Sequence, residues 1–283
     1  MKEILVLSGK GGTGKTSFTS SFVYLTPACI VCDYDVDASN LPLLLNPKRL
    51  SASAFSSSDM AHIDPDLCIQ CGICAELCRF GAILDFQVQA LACEGCAFCL
   101  HLCPVDAVSM HPRSSGNYYT GLTGMQQPMF YADLRPGEEN SGLLVAAVKK
   151  EAWAQAREDG TLLIIADGPP GIGCAAISSL VGVSLVVLVA EPSVSGFHDL
   201  QRAYELVQSR SIKAVLIINK SDLFEEMTAA MEAWARENEI PVAGTLPFCT
   251  ALADSIAQGT VPAARKEVAV LIQPIWDKVL QQI

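Results

Sequence analysis

Short runs of apolar residues recur along the chain at the spacing of strands separated by helices. The runs at 3–7 (EILVL), 28–31, 162–166, 185–189, 214–218 and 242–246 are almost wholly apolar and do not alternate. Continuous runs of that length belong to strands covered on both faces. Helix-length stretches lie between them: 16–25, then 138–157 with Leu144, Val148, Ala152 and Trp153 at helical spacing, then 196–208 and 224–239. Strand and helix in alternation predict an α/β fold on a doubly wound, mostly parallel sheet.

The middle of the chain breaks this pattern. Residues 51–61 are rich in Ser and Ala, and 111–124 in Gly, Pro and Ser; both read as connecting segments. Between them the periodicity vanishes and eight of the twelve cysteines collect. Taking out 60–112 leaves 230 residues, a fitting size for one doubly wound sheet. The division expected is therefore 1–59 with 113–283 as the main domain and 60–112 as a small α+β insert, with 117–135 returning to the frame as a hairpin.

Composition narrows the function. The chain is 51% hydrophobic and only 17% charged, which excludes a disordered polymer. A net charge of −11 argues against nucleic acid, whose phosphates need clustered Lys and Arg, and against an electrostatic membrane anchor. The tail EVAVLIQPIWDKVLQQI has two acids, one lysine and an internal Pro274, unlike a basic membrane-binding helix. The longest apolar stretch, 180–190, is interrupted by Gly182 and Ser184 and falls short of the roughly 20 residues that span a bilayer. The apolar run at the N-terminus is too short for a secretory signal. A soluble cytoplasmic protein is expected, in which abundant cysteine serves metals and not disulfides.

The cysteines form a repeat, CIQCGICAELCRFGAI (68–83) and CEGCAFCLHLCPVDAV (93–108), offset by 25 residues. Spacings of two, two and three residues are those of a two-cluster bacterial ferredoxin. A tight C-x2-C-x2-C loop delivers three thiolates to a cubane, and the fourth comes from the other copy. That assigns Cys68, Cys71, Cys74 and Cys103 to one [4Fe–4S] cluster, and Cys93, Cys96, Cys99 and Cys78 to a second. Zinc sites more often pair two C-x2-C units across a long spacer. The copies differ after the last cysteine: Pro104 in the second, Arg79 in the first. Ile69, Ile73, Leu77, Ile83, Leu100, Val105 and Val108 read as the shared core of the insert.

The first apolar run leads into SGKGGTGKTS (8–17) and then a helix. Gly9-x4-Gly14-Lys15-Thr16 between strand and helix is a phosphate-binding loop. Gly9, Gly11, Gly12, Thr13 and Gly14 let the backbone curl its N–H groups toward phosphates, with Ser17 in the first turn of the helix. Lys15 would meet the β- and γ-phosphates and Thr16 would ligate Mg²⁺.

Lys10 is a second lysine in this loop. With it the chain resembles the deviant-Walker P-loop ATPases, a branch that includes MinD, ParA, Mrp and the nitrogenase iron protein, and within it the MinD-type members carrying an inserted ferredoxin domain. The resemblance implies a homodimer with ATP at its interface and Lys10 reaching the partner's nucleotide. It identifies CDYDVDASNL (32–41) as switch I, with Asp33 and Asp35 near Mg²⁺ and Asp35 orienting the attacking water. It identifies Asp167-Gly-Pro-Pro-Gly171 as Walker B joined to switch II, with Asp167 holding Mg²⁺ through water. Asn219 of NKSD (219–222), Pro247 and Phe248 then belong to the adenine edge. The segment GEENSG (137–142) is also like that subgroup. Cys29, Cys32 and Cys249 read as core thiols and Cys174 as a small packing residue.

The function expected is ATP-gated electron transfer to a protein redox partner. An alternative is an ATPase that carries iron–sulfur or other metal clusters to an acceptor protein. A positioning ATPase of the MinD type is disfavoured by the tail.

Overall fold

The computed structural model describes residues 1–135, 138 and 141–283, so half of the GEENSG segment lies outside the described residues. The chain divides into two compact units: 1–52 with 118–133 and 141–283, and 53–117 with 134–140.

In the first unit, β1 (Lys2–Ser8) leads into α1 (Lys15–Tyr24), and β2 (Ile30–Asp33) into the short α2 (Leu41–Leu45). β3 (Lys48–Ile63) runs from this unit into the second. There follow α3 (Ile73–Glu76), the hairpin β4 (Ile83–Leu84) and β5 (Gln87–Val88), and α4 (Phe98–Leu102). The chain returns along β6 (Val108–Leu122) and turns back through β7 (Pro128–Leu134), the hairpin expected over 117–135. Next come α5 (Ser141–Asp159), β8 (Leu163–Pro170), α6 (Cys174–Ser179), β9 (Leu185–Ala190) and α7 (Val194–Gln208). The chain ends with β10 (Lys213–Asn219), α8 (Glu225–Glu237), β11 (Val242–Leu246), α9 (Thr250–Ala257) and α10 (Lys266–Leu280).

The main sheet runs β11-β10-β9-β1-β8-β2-β7-β6-β3, with the pairs from β11 to β7 parallel. Its central strands are buried on both faces, which explains why their sequences do not alternate. β1 lies between β8 and β9, so the tips of β1 and β8 are neighbours, with Val6 beside Asp167. β2 pairs with β8 so that Asp33 lies beside Asp167. Three strand ends thus carry the loop, switch I and Walker B to one edge of the sheet, where ligands of open α/β folds bind.

Two expectations need correction. The segments 51–61 and 111–124 are not connectors: most of each lies in β3 or β6. Much of β3 is exposed or half-buried. A ladder that satisfies its backbone without burying one face leaves no period-two apolar signature. The core expected for the insert also differs. Ala61, Ile63, Ile83 and Val108 form it, with cysteine side chains packed round them, while Ile69 and Leu77 are 62% and 49% exposed. The centre of each half of the repeat is left to sulfur.

α10 holds most of the tail whose charges are unlike those of a membrane-binding helix. Val268, Ile272, Ile275, Trp276 and Val279 of its apolar face lie in the core, and Trp276 stacks on Phe22 of α1 at 4.4 Å. Among the described residues no helix is long and apolar enough to cross a membrane.

Candidate nucleotide and iron–sulfur sites

The phosphate loop is braced from behind. Gly12 and Gly14 take positive φ (83° and 97°), which favours glycine. A Cβ on Gly14 would stand 2.4 Å from Asn219 Nδ2, so the loop also packs too closely for a side chain. Asn219 Nδ2 donates to the Thr13 carbonyl at 2.8 Å, and Lys220 Nζ to the Gly12 carbonyl at 3.0 Å. Asp222 Oδ1 accepts the Phe248 N–H at 2.6 Å. The NKSD segment therefore ties the loop to the 247–248 turn, where Phe248 is 48% exposed. Thr13 Oγ1 is buried without a partner among the described residues. An orphaned hydroxyl inside a glycine loop fits a phosphate oxygen, as does the open space above Gly11 and Gly12.

At the lip of the loop one cation faces three acids. Lys15 Nζ lies 3.0 Å from Asp167 Oδ2 and 3.6 Å from Asp35 Oδ2. Thr16 and Thr19 hydroxyls donate to the two oxygens of Asp167 at 2.6 and 2.7 Å. Asp33 accepts from Ser39 Oγ at 2.8 Å and from the N–H groups of Asp35 and Leu41, which shapes switch I and the approach to α2. Burial, reinforced by Asp167, pushes the Asp33 carboxyl up to about 7 although Lys15 opposes the shift. Burial also raises Asp35. Burial alone would lower the Lys15 ammonium, but Asp167, Asp35 and Asp33 outweigh it and raise it. Three buried carboxylates against one ammonium leave a deficit of positive charge that suits Mg²⁺. Asp37 is exposed, as a solvated loop residue.

Lys10 is held within its own chain. Its Nζ lies 2.7 Å from Glu191 Oε1 and donates to Ser193 and Ser195 hydroxyls at 3.2 and 3.3 Å. Glu191 Oε2 also meets Lys220 Nζ at 2.8 Å. Partial burial would raise the Glu191 carboxyl, but hydrogen bonds from the two lysines hold it below the usual range. Glu191, Thr19 and Ser39 escaped the sequence reading because none departs from ordinary helix or loop composition, and Lys220 figured there only as part of NKSD. The placement of Glu191 just past the tip of the apolar run 185–189 was the one available hint.

In the second unit the eight cysteines line two cavities. Cys68, Cys71, Cys74 and Cys103 line one; Cys78, Cys93, Cys96 and Cys99 line the other, with Cys74 also on its wall. The exchange of the fourth cysteine follows from the backbone. Asp64 N–H bonds the Ala107 carbonyl and Gln89 N–H the Ala82 carbonyl, so the approach to each three-cysteine loop is tied to the segment bearing its fourth cysteine. The N–H groups of Ala82 and Ala107 donate to Cys78 and Cys103 sulfur at 3.3 and 3.2 Å. Such bonds stabilise thiolate, so the donor set fits two cubanes. Among the described residues no three or more His, Cys, Asp or Glu close on a single ion.

Of the other cysteines, Cys29 and Cys32 are buried as expected, and burial pushes the Cys29 thiol up to about 12. Cys249 is half-buried. Cys174 is exposed at the start of α6, not packed as its small size suggested, because the helix buries Ala175 and Ala176 and leaves Cys174 on its outer side.

Comparison with known proteins agrees with this geometry. The Fer4 model, described as a 4Fe-4S binding domain, matches residues 61–84, which hold the first cysteine copy. A Methanocaldococcus jannaschii chain described as uncharacterized protein MJ0578 is 34% identical over 224 residues, 78% of this chain and 79% of that one. The chain belongs to one family with MJ0578. Its fold is that of the MinD/ParA P-loop ATPases, with a ferredoxin segment inserted. The Pyrococcus furiosus cell division ATPase MinD aligns over 100% of this chain and 99% of its own, with a TM-score of 0.59 and 16% identity. A Cyanothece McdA(D38A)–ATP complex aligns over 100% and 96%, with a TM-score of 0.61 and 17% identity. At that identity the likeness is one of fold.

Proposed function

We propose that the chain binds and hydrolyses ATP as a homodimer and couples its nucleotide state to electron transfer through two [4Fe–4S] clusters to a protein partner. The observation that carries this reading is the pair of cavities, each lined by three cysteines of one copy and the exchanged cysteine of the other, in a chain that also holds a braced phosphate loop. Bound clusters supply one-electron storage, and Mg²⁺ supplies charge for the phosphates.

The chain's own residues do the rest. Backbone N–H groups of the loop, Thr13 Oγ1 and Lys15 hold the phosphates. Thr16 and Asp167, already hydrogen-bonded, keep the Mg²⁺ position, with Asp33 at its edge. Asp35 lies within reach of Lys15 and orients the attacking water; phosphate binding to Lys15 would loosen their pairing and so move switch I. Lys10 acts in the partner's site once it leaves Glu191. Pro247 and Phe248 border the base, held by Asp222. Switch I runs on along the chain through α2 into β3, which enters the second unit.

EPR of the anaerobically isolated protein without nucleotide, with ADP and with ATP-Mg²⁺ tests the proposal. Two reduced [4Fe–4S] signals whose potentials or reduction rates change with ATP are expected. Signals indifferent to nucleotide would overturn the coupling. Loss of cluster to an apo-protein acceptor would favour delivery over electron transfer.

A further inference from the structure

The two copies of the cysteine repeat make each half of the insert a control for the other. Their backbones match position by position. Gln70 and Gly95 have φ of 56° and 66°, Gly72 and Ala97 have 80° and 59°, and Gly81 and Asp106 have 59° and 53°. α3 and α4 begin at equivalent residues, and each copy ends on the same N–H to sulfur bond.

The charges do not match. The segments bearing Cys68, Cys71, Cys74 and Cys103 hold Asp64, Asp66, Glu76 and Asp106 and no base. The equivalent positions beside the other four cysteines are Gln89, Leu91, His101 and Gly81. That half carries Arg79 and a single acid, Glu94, and both line its cavity. No charged residue lines the other cavity, where Pro104 takes the place of Arg79. Proline also has no N–H to offer a neighbouring sulfur, whereas Arg79 keeps one.

Adding an electron makes a cluster more negative. Nearby acids oppose that step, and cations and N–H donors favour it. Exposed charges are screened by solvent and salt, so no single residue sets the difference. Here most contributions run the same way; Glu94 opposes them, and Arg113, whose Nη1 donates to the Cys93 carbonyl at 3.1 Å, has its charge offset by Glu138.

We infer that the cluster held by Cys78, Cys93, Cys96 and Cys99 has the higher reduction potential, and that it holds the electron when the protein is reduced by one. Arg79 on one side and the four acids on the other set the order. The inference rests on the two-cluster reading above, and electrons enter one at a time from an external one-electron reductant with no bond made or broken.

Stepwise dithionite reduction of the holo-protein, followed by EPR and with iron counted in the same samples, is the test. Two steps are expected, the first electron preferring one cluster by about tenfold or more, equivalent to about 59 mV for a one-electron couple. R79Q should lower the first step and leave the second in place. D106N, at a positive φ that Asn tolerates, should raise the second and leave the first. C78S should change the signal that appears first. A single unresolved step, or R79Q moving the second step instead, overturns the inference. Far fewer than about eight irons per chain would instead remove the two-cluster reading itself.

Discussion

At the scale of residues, chemistry written into fixed spacings was legible and chemistry arranged through space was not. Lys15, Thr16 and Asp167 meet at the tip of the sheet as their motifs imply. Glu191 carries no motif, yet it pairs with both Lys10 and Lys220, and Lys220 in turn holds the Gly12 carbonyl. The carboxylate thus restrains the lysine that the family resemblance assigns to the partner's nucleotide. E191Q should weaken that hold and let ATP-dependent dimers form at lower ATP concentration, measured by sedimentation at a series of ATP concentrations. If the variant needs more ATP than the parent, Glu191 is a brace for the loop and not a restraint on Lys10.

At the scale of elements, the apolar runs marked the parallel strands and the amphipathic stretches marked α5, α7 and α8. The run at 3–7 concealed a buried ion pair. Glu3, 1% exposed in β1, accepts from Lys149 Nζ at 2.7 Å and from Tyr34 Oη at 3.1 Å. Lys149 also donates to the Ser179 carbonyl at 2.7 Å, which ties α5 and α6 to the sheet. A helix lysine ordinarily faces water, so nothing in the helical pattern assigns this one to the interior. Removing one partner leaves the other charge buried and alone. E3A should cost about 3–5 kcal/mol in urea unfolding, whereas replacing both by apolar residues of similar volume should cost far less. A change within about 0.5 kcal/mol for E3A would show that the pair contributes nothing.

At the scale of the molecule, the second unit has far less apolar core than the first. The first has a continuous core reaching from Ile4 and Phe18 to Trp276. The buried apolar core cluster of the second consists of Ala61, Ile63, Ile83 and Val108, and the two cysteine-lined cavities lie around it. So small a core needs a staple to stand against chain entropy. Stripping iron under anaerobic chelation should expose sites within 53–117 to protease while ATP binding by the first unit persists. Equal protease resistance with and without iron would contradict this dependence.

The sequence by itself determined the alternation of strand and helix, the phosphate loop and the doubled cysteine spacing, because each is a local rule: burial on both faces, a backbone that must curl, and thiolates that must converge within one turn. Tertiary structure alone decided that β3 and β6 are strands, that Glu3 meets Lys149 and that Glu191 meets both Lys10 and Lys220. Those outcomes join residues far apart in the chain through backbone pairing and the burial of charge, and neither leaves a period in the sequence.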